Sequence, residues 1–251
     1  MAVEWQHRKV QRINSDWRMF ARQKQKSLTK PVGSLGKLED LAVQLSALLN
    51  DAEPSLDKIQ ITVFAADHGI AEEAVSAFPQ AVTTEMVRNF SRGGAAISVL
   101  AQQLGADLEV VNVGTVSEHE ALPGVVMQRI ADGTANFSQQ AAMTQEQLLA
   151  ALEAGRDAVR RLRKKEAHLF IGGDMGIANT TSATAIACAL LNETPDTLVG
   201  PGTGLNAEGV QHKAAVIARG LALHESAMQT PLDVLQHVGG FEIAALTGAY
   251  I

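Results

Sequence analysis

Residues 167–191, AHLFIGGDMGIANTTSATAIACALL, decide the fold that we predict for this chain of 251 residues. The short apolar run Ala167–Gly172 predicts a buried strand, and the apolar run that ends at Leu191 predicts a helix. Glycines and then hydroxyl residues lie between them, where a helix N-terminus exposes backbone N–H groups and the positive end of its dipole. This strand, loop and helix form one βα unit whose loop suits a phosphate group. The loop matches neither a Walker A motif nor the GxGxxG spacing, so the pattern alone leaves its ligand open.

The same alternation of strands and helices extends over most of the chain. Further strands are predicted at Ile59–Ala66, Leu108–Val113, Val125–Ile130 and Thr197–Val199. Further helices are predicted from about Thr84 to Leu104 (closed by Gly105), from a capping box at Thr144 and Gln147, and from Asn206 to Leu223. Strands joined by helical crossovers form a parallel sheet, so we predict an α/β fold with helices on both faces, a Rossmann-like three-layer arrangement. Ligands of such sheets bind at the carboxyl ends of the strands.

The N-terminal residues 1–50 are predicted to form a small helical cap on an α/β domain of residues 51–251. Residues 1–30 carry eight Lys/Arg and two acids, a net +6, so the remainder carries −6 minus +6, or −12. This basic arm suits either a nucleic-acid contact or an amphipathic helix, and the acidic body favours the helix. The apolar residues of that helix are Trp5, Val10, Ile13, Trp17 and Phe20. A second helix is expected to begin with Ser34 as its N-cap and to end at Asn50.

The composition excludes several classes of protein. With 46% apolar and 19% charged residues, the chain is too apolar for a disordered protein. No stretch approaches the roughly 18 consecutive apolar residues of a membrane span, and the first residues lack the apolar segment of a secretory signal. A single cysteine permits no internal disulfide. We therefore predict a cytoplasmic protein with neither a membrane nor a nucleic acid as its partner.

The loop after the strand Ile59–Ala66 contains an Asp–His pair, Asp67 and His68, that is either catalytic or metal-ligating. No second His or Cys stands at ligand spacing, which disfavours a metal. Asp67 is expected to organise the loop through backbone hydrogen bonds, and Gly69 to supply a positive φ. The loop continues to Gln80, and a loop of that length inside a compact domain is typical of a functional segment.

Two further features bear on a ligand. The turn Val199–Gly204 is glycine-rich and is followed by Lys213, which makes it a second phosphate-compatible element. Two such elements at one sheet edge predict a phosphorylated small-molecule ligand. Asp174 is either a functional carboxylate or an acid at a helix N-terminus, and Gly93–Gly94 serves either close packing or a ligand. The residues expected to be structural are Cys188, His212, His224 and His237.

Taken together, seven segments resemble the family of nicotinate-nucleotide–dimethylbenzimidazole phosphoribosyltransferases. They occur in the family's order and span nearly the whole chain: Lys30–Glu39, Ala66–Gly69, Val75–Gln80, Arg92–Ala96, Gly176–Thr181, Val199–Gly204 and Gly239–Ala244. The resemblance implies transfer of phosphoribose from nicotinate mononucleotide to 5,6-dimethylbenzimidazole, which yields α-ribazole 5′-phosphate and nicotinate for the lower ligand of cobalamin. It also implies a homodimer that needs no metal and no cofactor.

The resemblance further implies which residues bind the substrates. The expected substrate-binding residues are Ser76, Phe78, Met86, Met175, Gly176, Ile177, Ala178, Asn179, Thr180, Gly202, Thr203 and Lys213. The chain differs from the family at Asp174, where the family usually has Glu, and at Ala178, where it has Gly. The family's general base lies in a segment beyond Ile251, so the α/β domain is expected to be C-terminally incomplete, with apolar surface exposed. Asp174 is then the first candidate for the base, and Glu242 is expected on the terminal helix. The alternative is a non-catalytic paralogue or fragment that binds a nucleotide or an azole.

Overall fold

The computed structural model of the chain describes Trp5, Lys9, residues 12–117 and residues 120–251. It divides into two compact units, Met1–Lys58 and Ile59–Ile251. Val10, one of the apolar positions of the predicted N-terminal helix, lies outside the described residues. None of the described helices is long and apolar enough to cross a membrane.

The first unit contains two helices, α1 (Ser15–Ser27) and α2 (Lys37–Leu49). Helix α1 starts only after Asn14, whose side chain accepts hydrogen bonds from the backbone N–H groups of Asp16 and Trp17. The prediction of Ser34 as the N-cap of α2 is wrong. Gly33 and Gly36 both have positive φ, which extends the turn to residue 36 and places Gly36 at the N-cap. Asn50 ends α2 in the left-handed conformation, as expected of a C-cap.

The second unit is built on four parallel strands in the order β3-β2-β1-β4. They are β1 (Ile59–Ala66), β2 (Asp107–Gly114), β3 (Val125–Met127) and β4 (Leu169–Met175). Strand β1 is central and buried, as its run of branched residues predicts. Strand β4 continues three residues beyond the predicted end at Gly172, because Gly173, Asp174 and Met175 extend the ladder with β1. Strand β3 ends at Met127, short of the predicted Ile130.

The helices of this unit are α3 (Ala81–Arg92), α4 (Ala96–Leu104), α5 (Gln145–Lys164), α6 (Asn179–Leu191), α7 (Pro195–Leu198), α8 (Ala207–His224), α9 (Pro231–Val238) and α10 (Phe241–Tyr250). The capping box of Thr144 and Gln147 and the cap of Asn206 are present as predicted. The single helix predicted from Thr84 to Leu104 is instead two, because Gly93 adopts a φ of 82° and ends α3. Nor does Thr197–Val199 form a strand: α7 occupies this segment and begins with a proline in its first turn.

Helices cover both faces of the sheet. Val63 and Val110 point to the face on which Val87 and Phe90 of α3 pack. Gly172 lies on the opposite face, in contact with α10, and α10 in turn packs along α5. This arrangement confirms the predicted α/β fold with a parallel sheet. At the edge strand β4, Ile171 remains 39% exposed.

Candidate functional site

The site lies at the carboxyl edge of the sheet, where β1 and β4 end side by side. Strand β1 leads into Asp67 and His68, and β4 leads through residues 176–178 into α6. We call residues 176–180 the anion loop, since they contain the N-terminus of α6 that was predicted to bind phosphate.

The anion loop is held by contacts to three neighbouring segments. At Gly176 a Cβ atom would lie 2.6 Å from the carbonyl oxygen of Ala66, so the two backbones approach too closely for any side chain. The backbone N–H of Ile177 donates to the Thr83 hydroxyl on α3 at 3.1 Å. Ala178 adopts a φ of 72°, a left-handed conformation that is unusual for a residue with a Cβ.

Lys213 of α8 is a buried cation at this loop. Its ammonium donates to the Thr180 hydroxyl at 2.6 Å and reaches the Gly200 carbonyl oxygen at 3.5 Å. Within the part of the chain that the structure describes, these two neutral oxygens are its hydrogen-bond partners. Burial lowers the pKa of Lys213 because no neighbouring carboxylate compensates for the lost water. A buried ammonium with only neutral partners is a site that an anion would complete.

The glycine-rich turn after α7 comes to the same place. At Gly202, whose φ is 53°, a Cβ atom would lie 2.8 Å from the Thr180 hydroxyl and 3.1 Å from the Lys213 nitrogen. The Thr203 hydroxyl lies 3.0 Å from the Ser76 hydroxyl and accepts from the backbone N–H of Ala77 at 3.1 Å. The structure therefore brings together the three loops that the sequence suggested separately.

Three further expected substrate-binding residues are not part of this hydrogen-bonded cluster around Lys213. Met86 of α3 and Met175 of β4 pack against the same apolar cluster beneath the sheet edge. Phe78 is 52% exposed, and its backbone N–H donates to the Ser76 hydroxyl at 3.3 Å. Flexible thioethers and an exposed ring suit a flat apolar ligand.

Asp174 lies near the end of β4, exposed to solvent on its outer side. Its carboxylate accepts a hydrogen bond from the Asn179 side chain at the start of α6. Partial burial, followed by the negative charge of Glu242, raises the pKa of Asp174 above its usual value, while His68 opposes the shift. A carboxylate that combines access with a raised pKa has the properties of a proton acceptor.

Sequence reasoning missed the partner of His68. The imidazole Nε2 lies 2.6 Å from the Glu242 carboxylate of α10, and Nδ1 lies 3.0 Å from the Ser182 hydroxyl of α6. All three side chains are fully buried. The one local signal is Gly240, where a Cβ atom would collide with the His68 ring and with Glu242, so that the glycine permits the pair.

The neighbouring Asp67 does make a backbone hydrogen bond, but to a different loop: its carboxylate accepts from the backbone N–H of Val116, just after β2, at 2.8 Å. The expectation for Gly69 is wrong, since its φ is not positive. Gly69 is required because a Cβ atom there would lie 2.6 Å from the backbone of Ala135 and Asn136.

The residues expected to be structural are accounted for by local contacts. Cys188 is buried on α6, and burial raises the pKa of its thiol. His224 and His212 have their Nε2 atoms 2.8 Å and 2.7 Å from the carbonyl oxygens of Phe137 and Glu73. The His237 ring lies 5.1 Å from that of His224. Within the described ranges, no three His, Cys, Asp or Glu side chains are grouped in a way that could hold a metal ion.

The parallel sheet, the helix N-terminus and the buried lysine define an α/β protein of the class that holds phosphorylated small molecules at its strand ends. Comparison with known protein families is more specific. The family model DBI_PRT, described as phosphoribosyltransferase, matches residues 10–251, and the chain belongs to this family. The resemblance noted in the sequence is thereby confirmed.

Individual relatives carry the same name. The nicotinate-nucleotide–dimethylbenzimidazole phosphoribosyltransferase of Pseudomonas aeruginosa strain LESB58 is 56% identical over 251 residues, which are all of this chain and 72% of that protein. The enzyme of the same name from Pseudomonas putida KT2440 is 58% identical over 92% of this chain and 66% of its own length. The crystal structure of CobT from Thermus thermophilus matches with a TM-score of 0.89 and 44% identity, over 94% of this chain and 70% of that one.

Proposed function

We propose that this chain transfers phosphoribose from nicotinate mononucleotide to 5,6-dimethylbenzimidazole, with α-ribazole 5′-phosphate and nicotinate as products, in the synthesis of the lower ligand of cobalamin. The observation that carries the proposal is Lys213, a buried cation with neutral partners, which faces the anion loop across Thr180. The names of the related enzymes supply the two substrates.

The nucleotide phosphate occupies the anion loop. The dipole of α6 at its N-terminus attracts the negative charge of the phosphate, and Lys213 contributes a charge-assisted hydrogen bond. Gly202 leaves room beside Lys213, and Thr203 offers a hydroxyl at the rim. Since the lysine is already buried, the phosphate gains an ion pair without a further cost of desolvating the cation.

The azole base lies on the other side of Ser76. Met86 and Met175 provide apolar, polarisable side chains, and the 52% exposed ring of Phe78 offers an aromatic face to the base. The contact between Ser76 and Thr203 joins the base side to the phosphate side. The two substrates therefore meet above the end of β4.

In the transfer, the bond between ribose C1′ and the pyridinium nitrogen breaks, and its electron pair returns to the ring, which leaves as neutral-ring nicotinate. A benzimidazole nitrogen forms the new bond to C1′, and the proton on the azole passes to a base. Asp174 is the proposed acceptor, because it is accessible and its pKa is raised. The leaving group needs little acid assistance, so a single carboxylate suffices.

We further propose that the protein acts as a homodimer in the cytoplasm, without a metal, a cofactor, a nucleic acid or a membrane as partner. The net charge of −6 opposes binding to the polyanionic surfaces of nucleic acids and membranes.

Nicotinate release, measured by chromatography with both substrates present, tests the reaction. The wild type is expected to release nicotinate only when the azole is added. Lys213→Met is expected to lower kcat/KM by about 10- to 100-fold, the effect of one lost charge-assisted hydrogen bond. Lys164→Met, on the exposed end of α5, is the matched control. Saturable binding of nicotinate mononucleotide without azole-dependent release would overturn the reaction and favour the non-catalytic alternative.

A further inference from the structure

The buried pair of His68 and Glu242 has no part in the substrate contacts just described. Its two side chains are far apart in sequence: His68 follows the end of β1, and Glu242 lies in the first turn of α10. Removing two ionisable groups from water is unfavourable, and only well-formed hydrogen bonds offset the loss. The location of this buried pair beside the anion loop therefore suggests that it serves to position the loop.

The pair touches the anion loop directly. A Cβ atom at Gly176 would lie 3.1 Å from Nε2 and Cδ2 of the His68 ring, so the loop backbone rests on the imidazole. The other ring nitrogen reaches Ser182, which lies in the first turn of α6. His68 thus connects the anion loop, the helix that follows it and, through Glu242, helix α10.

Four polar groups act on the imidazole: Ser182 and Glu242 by contact, and Asp67 and Asp174 by their charges. Glu242 comes from α10, Asp67 from the end of β1, Asp174 from β4, and the Ser182 hydroxyl from α6. Burial alone would lower the pKa of His68, but the charge and hydrogen bond of Glu242, with help from Asp67 and Asp174, raise it overall. In the charged form both ring nitrogens donate, one to Glu242 and one to Ser182.

Two carboxylate oxygens in this cluster, Oδ1 of Asp67 and Oε2 of Glu242, are buried without a hydrogen-bond partner among the described residues. The negative charge of Glu242 acts on its neighbours, and Asp174 is among the groups that it affects. Asp174 is the member of the cluster that is open to solvent. Its affinity for a proton therefore depends on groups that no substrate touches.

We propose that Glu242 is a positioning residue: through His68 it fixes the anion loop in its ligand-binding conformation, and through its negative charge it acts on Asp174. This inference rests on the proposed function, since it assigns Asp174 the role of proton acceptor and the loop that of phosphate holder. Glu242 touches neither substrate and is not a catalytic residue.

The direction of each effect follows from the charges. The Glu242 charge raises the pKa of Asp174 more than His68 lowers it. Replacing Glu242 by Gln keeps an acceptor for His68 but removes the charge, so Asp174 loses its proton at a lower pH. Activity that requires ionised Asp174 then persists to a lower pH. The loop, held by a weaker hydrogen bond, binds phosphate less tightly.

The experiment compares Glu242→Gln with the wild type in two measurements. The pH profile of kcat/KM for nicotinate release is expected to move its acidic limb to lower pH. The Kd for inorganic phosphate, measured by calorimetry, is expected to rise by about tenfold, as a misplaced ligand contact would cause. Glu225→Gln removes an equal charge from an exposed turn after α8 and is expected to change neither quantity.

An unshifted acidic limb and an unchanged phosphate Kd in folded Glu242→Gln would overturn the inference. Where that variant fails to fold, Ser182→Ala serves instead, because it removes one hydrogen bond to the His68 ring and no charge. Weaker phosphate binding with an unshifted acidic limb supports the inference. Phosphate binding equal to that of the wild type overturns it. Absence of nicotinate release from the wild type overturns the proposed reaction instead, and phosphate affinity still tests the positioning.

Discussion

Lys213 shows, at the scale of a single residue, how a ligand site is built at the expense of stability. Because burial lowers its pKa in the folded state, the charged form opposes folding fully below that pKa, and the opposition decreases as the pH rises above it and vanishes above the ordinary value of 10.5. Lys213→Met is therefore expected to raise the thermal midpoint of the ligand-free protein at pH 7 and to remove a rise in stability with pH that the wild type shows below pH 10.5.

The same substitution is expected to remove most of the stabilisation by phosphate. At a phosphate concentration of about 100 times its Kd, the wild type should gain roughly 2.7 kcal/mol, and Lys213→Met only a small part of this. Thermal melts with and without phosphate measure the difference. Equal gains in the two proteins would show that the lysine does not hold the anion.

Ala178 carries the backbone conformation that glycine adopts at no cost. A left-handed φ costs a residue with a Cβ about 1–2 kcal/mol, and Ala178→Gly relieves that strain. The substitution also loses a similar amount of stability, because it removes a buried methyl group and makes the unfolded chain more flexible. Ala178→Gly is therefore expected to change the free energy of unfolding by less than about 1 kcal/mol. Ala185→Gly, at a buried and regularly helical position of α6, should cost about 2 kcal/mol. Urea denaturation of both variants tests this, and equal losses would contradict it.

Residues whose partners lie within one helical turn could be predicted from sequence, and residues with distant partners could not. The capping box of Thr144 and Gln147 joins residues three positions apart and was predicted correctly. Ser34 failed because two glycines with positive φ reshaped the turn around it. Ser76 and Thr203 are 127 residues apart, and only the family resemblance placed both in one site.

At the scale of elements, α5 and α10 pack so closely that glycine is required at their contact. A Cβ atom at Gly248 would lie 2.6–2.7 Å from the backbone of Leu152, and one at Gly155 would collide with Ala245 in the same way. Alanine normally improves a helix by about 1 kcal/mol over glycine, but moving two backbones apart costs more.

Gly248→Ala is therefore expected to lower the free energy of unfolding by about 2 kcal/mol, net of its gain in helix propensity. Gly200→Ala is the control, because open space surrounds that position and its φ is not positive. Urea denaturation measures both. A stabilised Gly248→Ala would mean that the two helices separate without loss.

The element boundaries that sequence periodicity misplaced are those set by tertiary contacts. A continuous apolar pattern runs across Gly93, yet α3 and α4 are separate, because the left-handed glycine redirects the chain. Strand β4 extends through Gly173 to Met175 because β1 offers hydrogen-bonding partners that far. A pattern within one segment cannot reveal how long its neighbour is.

At the scale of the whole molecule, Glu73 joins three parts of the chain. From the turn Gly69–Glu73 its carboxylate accepts from Asn136 at 2.8 Å and Ser138 at 3.0 Å, and it pairs with Arg219 of α8. These contacts, that with Asn136 foremost, lower its pKa to about 2. The stabilisation is complete above the ordinary value of 4.5 and is lost as the pH falls toward 2.

The urea midpoint of the wild type is therefore expected to fall between about pH 4.5 and pH 2, and that of Glu73→Gln to fall less. At pH 7 the variant should be the less stable of the two. Glu72→Gln, at the exposed neighbouring position, should follow the wild type. Parallel curves for the wild type and Glu73→Gln would show that the Glu73 contacts do not contribute to acid stability.

The architecture of the whole sheet was predictable because alternating strands and helices allow few arrangements. The strand order β3-β2-β1-β4, with β1 in the interior, is one that the alternation of strands and helices does not specify. The contact between His68 and Glu242 was not predictable, because the two residues are 174 positions apart and no sequence motif links them. The two side chains come together only in the folded structure.

Cys188 offers a way to observe the site that needs no ligand signal at all. It is the single cysteine of the sequence, it is buried on α6, and burial raises the pKa of its thiol. A thiol reagent requires both access and a thiolate, so labelling proceeds from the fraction of molecules in which α6 has opened. The labelling rate thus reports how often α6, the helix that begins in the anion loop, opens. Any anion that binds the closed loop lowers the labelling rate in proportion to its occupancy.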